Sequence, residues 1–318
     1  MRCWWIYGLS VCFFGSSISI SAQNEPAFEQ YQFNQLAINP GYAGSQGTLD
    51  VVAFAQRQWV KLEGAPQTES VTINSSLGNG KIGLGAKVLH DVIGNAAKTT
   101  FAIDYAYRMY TNSGTLAIGL EASAAQYDLN LSLLDAYQNG DPAFIGAPSN
   151  FMSYNAGLGL WFHSQSFFLG VSVPNIIEAT DANTNSELFS NLNLFDQSQH
   201  VFLTAGYLFR MNEFVAVKPH GMLRYDLNSN LVADGSLSLI FKDVLWLGGT
   251  YRTAGSFSVM GEYFFDLGNS LQDQHLGVGY AFNQRTDETQ SVFGATHEIF
   301  ITYQLNKKTT RFTSPRFF

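Results

Sequence analysis

The chain is poor in cysteine, poor in charge and free of long apolar runs, and each shortage removes a class of protein. Its two cysteines, Cys3 and Cys12, both fall in residues 1–22 of 318. That stretch reads as a secretory leader. Arg2 supplies the positive start, Trp4 to Phe14 the apolar stretch, and Ser19, Ser21 and Ala22 the small residues before a cleavage that leaves Gln23 first. Val11 stands ahead of Cys12 where a lipid-attachment signal wants a small residue. The mature chain is then expected to hold no thiol, which excludes disulfides, cysteine metal sites and thiol catalysis. Only 13% of residues are charged, against roughly 25% in soluble domains. With 17 Lys+Arg against 25 Asp+Glu, the net charge of -8 excludes a basic nucleic-acid surface. The leader's apolar stretch is too short to span a bilayer as a helix. The one long uncharged run, 142–177, is broken by Pro142, Pro148 and Pro174.

Catalytic signatures are equally scarce. His90, His163, His200, His220, His275 and His297 are scattered, without paired metal-ligand spacing. No G-x-S-x-G elbow is present, and nothing marks a Ser-His-acid trio. Gly78-Asn79-Gly80-Lys81-Ile82-Gly83 matches the dinucleotide fingerprint, but that motif needs a helix after it, and here a strand pattern follows. Asn-Gly reads instead as a hairpin turn. No enzyme activity and no cofactor are expected.

What the chain has is aromatics and alternation. It holds 26 Phe, 15 Tyr and 29 Gly, at a mean hydropathy of -0.01. Apolar and polar residues alternate along the chain with period two. Phe101, Ile103, Tyr105, Tyr107 and Met109 oppose Asp104 and Arg108. Leu116, Ile118 and Leu120 oppose Glu121. Val215, Val217, Leu223 and Tyr225 oppose Lys218, His220, Arg224 and Asp226. Phe257, Val259, Tyr263 and Phe265 oppose Ser258, Glu262 and Asp266. Alternation alone fits a soluble sandwich with an apolar core or a membrane barrel with an apolar rind. The low charge and the aromatics near strand ends favour the barrel.

Strands are predicted at 48–58, 68–77, 81–91, 97–110, 115–127, 153–163, 166–174, 199–210, 214–226, 231–242, 244–252, 256–266, 275–283 and 298–306. The fold class is thus all-β, a transmembrane outer-membrane β-barrel of about 14 antiparallel strands, an even number as single-chain bacterial barrels require. Connections after even strands are mostly tight, although 267–274 is longer. Those after odd strands include three long loops, 128–152, 175–198 and 284–297. That sorting is the pattern of periplasmic turns and extracellular loops. The division is 1–22 leader, 23–47 either a plug or a periplasmic-rim segment, 48–306 barrel and 307–318 tail. Lys87, Asp104, Arg108, Lys218, His220, Arg224 and Glu262 are candidates for the lumen wall. Phe144, Phe151, Leu188 and Phe195 are candidates for partner contacts in the loops, or for packing the loops together.

Several strings carry a resemblance. Gln30-Tyr31-Gln32-Phe33-Asn34-Gln35-Leu36-Ala37-Ile38-Asn39-Pro40-Gly41-Tyr42-Ala43-Gly44 is similar to the amino-terminal signature of the PorP/SprF family of type IX secretion membrane proteins, with Gln35 for the usual Pro and Gly41 for the usual Ala. Arg57-Gln58-Trp59 with Gly64-Ala65-Pro66 resembles the family's next block. Lys81-Ile82-Gly83-Leu84-Gly85, Asp91-Val92-Ile93-Gly94, Asp104-Tyr105-Ala106-Tyr107-Arg108, Asp141-Pro142-Ala143-Phe144, Gly170-Val171-Ser172-Val173-Pro174-Asn175 and Ser314-Pro315-Arg316-Phe317-Phe318 follow in order. The resemblance implies an outer-membrane component of type IX secretion and gliding. Its partners would be a secreted surface adhesin, held or delivered through that adhesin's C-terminal sorting domain, periplasmic ring components and a peptidoglycan-binding lipoprotein. A porin-like or hydrophobic-solute transport barrel is the alternative.

Overall fold

A computed structural model of the chain describes residue 31 and residues 34–47, 49–130, 150–177, 179–180, 199–226, 231–268, 272–286 and 293–307. The expected leader, the tail beyond residue 307 and most of the long loops lie outside the described residues. Fourteen strands close into one antiparallel barrel: β1 Leu49–Arg57, β2 Gln67–Leu77, β3 Ile82–Ile93, β4 Ala96–Tyr110, β5 Thr115–Leu129, β6 Asn150–His163, β7 Phe167–Val173, β8 His200–Tyr207, β9 Val215–Asp226, β10 Leu231–Phe241, β11 Leu245–Arg252, β12 Ser256–Asp266, β13 Gln272–Arg285 and β14 Thr296–Lys307. Two further two-residue pieces are subsidiary. Phe209–Arg210 continues β8 after Leu208, and Ala179–Thr180 lies beside β6. Each strand pairs with its neighbours in sequence, and β1 pairs with β14 from Leu49↔Leu305 to Arg57↔His297. Closure leaves the sheet no free edge within the membrane.

The two faces decide between sandwich and barrel. Ile103 (68% exposed), Ile299 (57%), Phe101, Val71, Leu120, Leu158 and Ile301 all point outward. Asp104 (0%), Glu298 (0%), Lys218 (1%) and Glu262 (2%) point inward. Apolar side chains cover the outside continuously and ionisable ones fill the inside, the inverse of a soluble protein. An exposed apolar surface of that extent needs lipid around it. The paired β4 and β5 are 15 residues long, or about 50 Å at 3.4 Å per residue. Tilted by about 40° they rise about 38 Å, enough to cross the hydrocarbon core. Tyr107, Tyr110, Tyr207, Phe209, Tyr263 and Phe265 ring one end and Tyr154, Tyr225, Tyr251 and Phe257 the other, as interfacial girdles do.

Turns after even strands are short. Gly78 (φ 59°), Asn79 (φ 58°) and Gly80 (φ 82°) are all left-handed, so the fingerprint string is a hairpin turn into β3. Lys242 and Asp243 make another such turn, with φ of 50° and 56°. This turn rim is the periplasmic one by the general rule for such barrels, and the loop rim faces outward. Several sequence-based boundaries move. β5 runs on to Leu129 and β6 starts at Asn150, so the 128–152 loop is shorter than expected. β13 starts at Gln272, which removes the long 267–274 connection.

Candidate functional site

Residues 34–47 lie inside the barrel. Two short 3-10 turns, Gln35–Ala37 and Pro40–Tyr42, set their path. Pro40 fixes the φ of the second turn, and the Asn39 carboxamide oxygen accepts from the Gly41 N–H at 2.8 Å. The same side chain donates to Leu160 O at 3.0 Å and to Val171 O at 3.5 Å, tying the turn to β6 and β7. Ser172 donates to Ile38 O at 2.7 Å, Thr72 donates to the Asn34 side chain at 3.0 Å, and the Gly44 N–H donates to Asn74 Oδ1 at 3.0 Å.

The wall beneath this segment is made of inward-facing glycines. A Cβ on Gly83 would sit 1.9 Å from Ala43 O, one on Gly119 2.2 Å from the Gly41 nitrogen, and one on Gly159 2.1 Å from Asn39 Oδ1. Gly85 lies under Leu36, where a Cβ would come within 3.1 Å of both its methyl groups. Backbone seats on backbone here, and only glycine permits that approach. Leu36, Tyr42 and Ala43 then join Ala106, Ala117, Trp161, Phe168, Leu208, Ala216, Ile240, Trp246 and Phe264 in one buried cluster. Trp161 stacks on Phe168 at 5.1 Å and meets Tyr42 edge-on at 5.2 Å. These residues lie near the turn rim on β4 to β12. Together they form an apolar floor across the lumen.

The seven lumen candidates all sit on the inner wall, but they do not form one site. Arg108 is low, donating to Gly80 O at 3.0 Å. Lys218 lies within the floor, its ammonium 5.4 Å from the Trp246 ring and 5.7 Å from the Phe168 ring. Glu262 accepts from Thr302 at 2.9 Å. His220 stands beside the Tyr31 ring at 5.8 Å. Lys87 and Asp104 do come together, as part of a junction. Lys87 Nζ lies 2.6 Å from Glu121 and 3.9 Å from Asp104, and it donates to Leu36 O and Ala37 O at 3.2 and 3.3 Å. Sequence reasoning did not single out Arg252, whose guanidinium makes a forked pair with Asp234 at 2.8 and 2.7 Å, nor the glycine seat. Glycine at inward phase on β3, β5 and β6 was the available signal for the seat.

Above the floor is a cavity of about 120 Å³ whose lining includes Tyr31, Ile38, Lys98, Phe202, Met222 and Arg224. Among the loop candidates, Phe144, Leu188 and Phe195 lie outside the described residues. Phe151 is not in a loop. It belongs to β6 and stacks on Tyr127, its partner in the ladder, at 4.5 Å. Among the described residues, no group of three or more His, Cys, Asp or Glu is placed to hold a metal ion.

The family model described as "Type IX secretion system membrane protein PorP/SprF" matches residues 20–303. The chain belongs to the PorP/SprF family. No curated protein matches it. Among solved structures it is similar to the outer membrane protein Omp33 of Acinetobacter baumannii, at 10% identity and TM-score 0.45, over 83% of this chain and 99% of that one. It is also similar to the CymD monoaromatic hydrocarbon channel, at 12% identity and TM-score 0.47, over 84% and 90%. The KdgM porin is a third, at 6% identity and TM-score 0.37, over 81% and 99%.

In this PorP/SprF protein, the string that resembles the family's amino-terminal signature is the segment seated on the glycines. Its departure at Gly41 falls at a tight point, because a Cβ there would lie 3.0 Å from the Trp161 nitrogen. Asn39 is the hinge pin of the seat. Asn39→Ala leaves the Gly41 N–H and two strand carbonyls without it and is expected to cost about 1–3 kcal/mol. The expected readout is a lower unfolding temperature in detergent, with the barrel still formed.

Proposed function

We propose that this PorP/SprF protein is a non-conducting outer-membrane platform of the type IX secretion and gliding machinery. It docks, anchors or helps export a secreted surface adhesin through the adhesin's C-terminal sorting domain. The observation that carries this reading is the floor: Leu36, Trp161 and Phe168 are each no more than 1% exposed. A channel for polar solutes needs a water-filled route from rim to rim, and a buried cluster of aromatics opposes one. The loop-side mouth is left as the working surface. In this reading the loops at 130–149, 175–198 and 286–295 meet the adhesin, and the turn rim meets periplasmic ring components and a peptidoglycan-binding lipoprotein. Binding and positioning suffice for such a role, so no catalytic step is invoked.

The test is affinity purification from the native outer membrane, paired with planar-bilayer recording. The platform reading expects a co-purifying surface adhesin or secretion component and a silent barrel. A solitary, steadily conducting barrel would replace it with the porin or hydrophobic-solute reading. Exchanging residues 181–198 for a Gly/Ser linker of equal length, which keeps the pairing of Ala179–Thr180 with β6, is expected to lower surface display of the adhesin while the barrel assembles normally. Undiminished display would remove that loop from the mechanism.

A further inference from the structure

One strand is too short for the wall it completes. β7 has seven residues, about 24 Å of strand. At a tilt of about 40° it rises about 18 Å, against an apolar band about 25 Å tall. It starts at the turn-side girdle, where Phe167 pairs with Tyr207, so the shortfall of roughly 7 Å lies toward the loop side. The ladder to β6 stops at Leu158↔Val173 and the ladder to β8 at Ser172↔Phe202. Pro174 follows and has no N–H to give to either neighbour. There the chain leaves the plane of the sheet and turns into the lumen. A Cβ on inward-facing Gly157 would lie 2.6 Å from Pro174 O and 2.9 Å from Pro174 Cα.

Residues 174–177 complete the wall above β7, and their attachments are one-sided. Toward β6, the Ile176 N–H donates to Ala156 O at 2.8 Å and the Ile177 N–H to Asn155 Oδ1 at 3.1 Å, and Ala179–Thr180 pairs with Tyr154 and Ser153. Toward β8, no ladder pair follows Ser172↔Phe202 among the described residues, and the Gln199 side chain donates to Ile176 O at 2.9 Å. A flap hinged on β6 and latched to β8 by a side chain opens more readily than wall held by ladders on both edges. On its inner side Pro174 and Asn175 line the cavity above the floor, with Ile38, Phe202 and Met222 beside them. On its outer side Ile177 is 60% exposed and continues the lipid-facing surface of Val171 and Leu203.

We propose that this flap is a lateral door, and that the cavity behind it takes the end of an acyl chain from a lipid of the surrounding membrane. What meets the door from outside is hydrocarbon, because the door is continuous with the lipid-facing wall. Ile38, Pro174, Phe202 and Met222, just behind it, are apolar. The four cations of the cavity's described lining are balanced by Glu121, Asp104, Asp91 and Asp234, so no charged ligand is called for. The volume of about 120 Å³ is close to that of the ~150 Å³ apolar cavity that admits benzene, which is room for the last few carbons of a chain. Ser172, at the last β7–β8 pair, also donates to Ile38 O at 2.7 Å, so the frame of the door and the amino-terminal segment share a residue. The site rests on the barrel's place in the membrane and not on the adhesin role.

The purified protein in phosphatidylglycerol vesicles supplies the test. The vesicles are doped with a phosphatidylglycerol whose acyl chain ends in a diazirine. After irradiation, peptide mass spectrometry locates the adducts. Residues 34–47 are the readout, because they lie inside the barrel and meet no lipid while the door is shut. Adducts at Ala37 or Ile38 are expected, beside adducts at Val171 and Leu203 on the outer face, which show that the probe reacts. The pair Ile176→Cys/Gln199→Cys, joined by a short bifunctional thiol reagent, fastens the door; both native cysteines fall in the expected leader. The inner adducts are then expected to be lost in proportion to the chains joined, while the outer ones persist. Met222→Trp, which fills the cavity behind the door, should lose the inner adducts without any crosslink. Outer adducts with none in residues 34–47 of the parent protein overturn the proposal. Inner adducts that survive fastening overturn it too, since the chain then enters by the loop-side mouth, and inner adducts that survive Met222→Trp overturn the cavity as the site.

Discussion

Valine in place of Gly119 is expected to turn a silent barrel into one that conducts. The glycine faces inward on β5, and the first side-chain carbon placed there would meet the Gly41 nitrogen at 2.2 Å and the Pro40 carbonyl carbon at 2.3 Å. Those are backbone atoms of a turn pinned by Asn39, with no flexible side-chain end to yield. Either β5 bows outward or residues 39–44 leave their seat. β5 is held by a 15-pair ladder to β4 and a 14-pair ladder to β6, whereas the segment is held by a handful of hydrogen bonds and one apolar face. The segment is the weaker party. Its departure takes Leu36, Tyr42 and Ala43 out of the floor cluster and opens a lumen wider than the side chains of the wall alone can fill. Overpacking of this kind typically costs about 1–3 kcal/mol, so the barrel itself survives. Discrete openings in planar bilayers, absent from the parent protein, are the expected readout. Gly235→Val is the control, since a Cβ at Gly235 meets nothing within 4 Å. A Gly119→Val barrel as silent as that control, with unchanged thermal stability, would show that the segment does not seal the lumen.

Much of this architecture was legible in the sequence because a barrel wall obeys a simple rule. Each residue faces lipid or lumen in alternation, so Ile103, Leu120 and Val259 could be separated from Asp104, Glu121 and Ser258 before any contact was known. The even strand count and the sorting of short and long connections followed from turn chemistry at Gly78–Gly80 and its counterparts. What alternation does not encode is what the inner face does. Trp161, Phe168, Trp246 and Phe264 occupy inward positions where polarity is expected, because the lumen is filled there rather than wet. Phe151 misled for the same reason: an aromatic next to Pro148, Ser149 and Asn150 reads as loop, and only its stacking on Tyr127 across the ladder explains its place in β6. The plug and rim alternatives for residues 23–47 stayed open because their choice depends on glycines more than 30 residues away in the chain. Gly83 and Gly119 are ordinary strand glycines until Ala43–Gly44 is laid on the first and Pro40–Gly41 on the second.

Loss of the Lys87 ammonium is expected to be the most damaging single change on the inner wall. That group serves two structures at once. It neutralises Glu121 at 2.6 Å, with Asp104 at 3.9 Å, and it donates to the carbonyls of Leu36 and Ala37 at the end of the first 3-10 turn. Lys87→Met keeps most of the side-chain volume but leaves two carboxylates facing each other in a closed lumen. Removing one partner of a buried pair in this way costs about 3–5 kcal/mol, and the loss of two further donated hydrogen bonds adds to it. The expected readouts are a marked fall in the detergent unfolding temperature and faster proteolysis of the amino-terminal segment. The argument is specific to charge, so the triple variant Lys87→Met/Glu121→Gln/Asp104→Asn should recover most of the lost stability while the segment stays loosened. Recovery of both would mean that the carbonyl contacts contribute little to the seat. Recovery of neither would mean that the hydrogen bonds donated to the Leu36 and Ala37 carbonyls carry the effect, and that the ionic junction is incidental to holding plug and wall together.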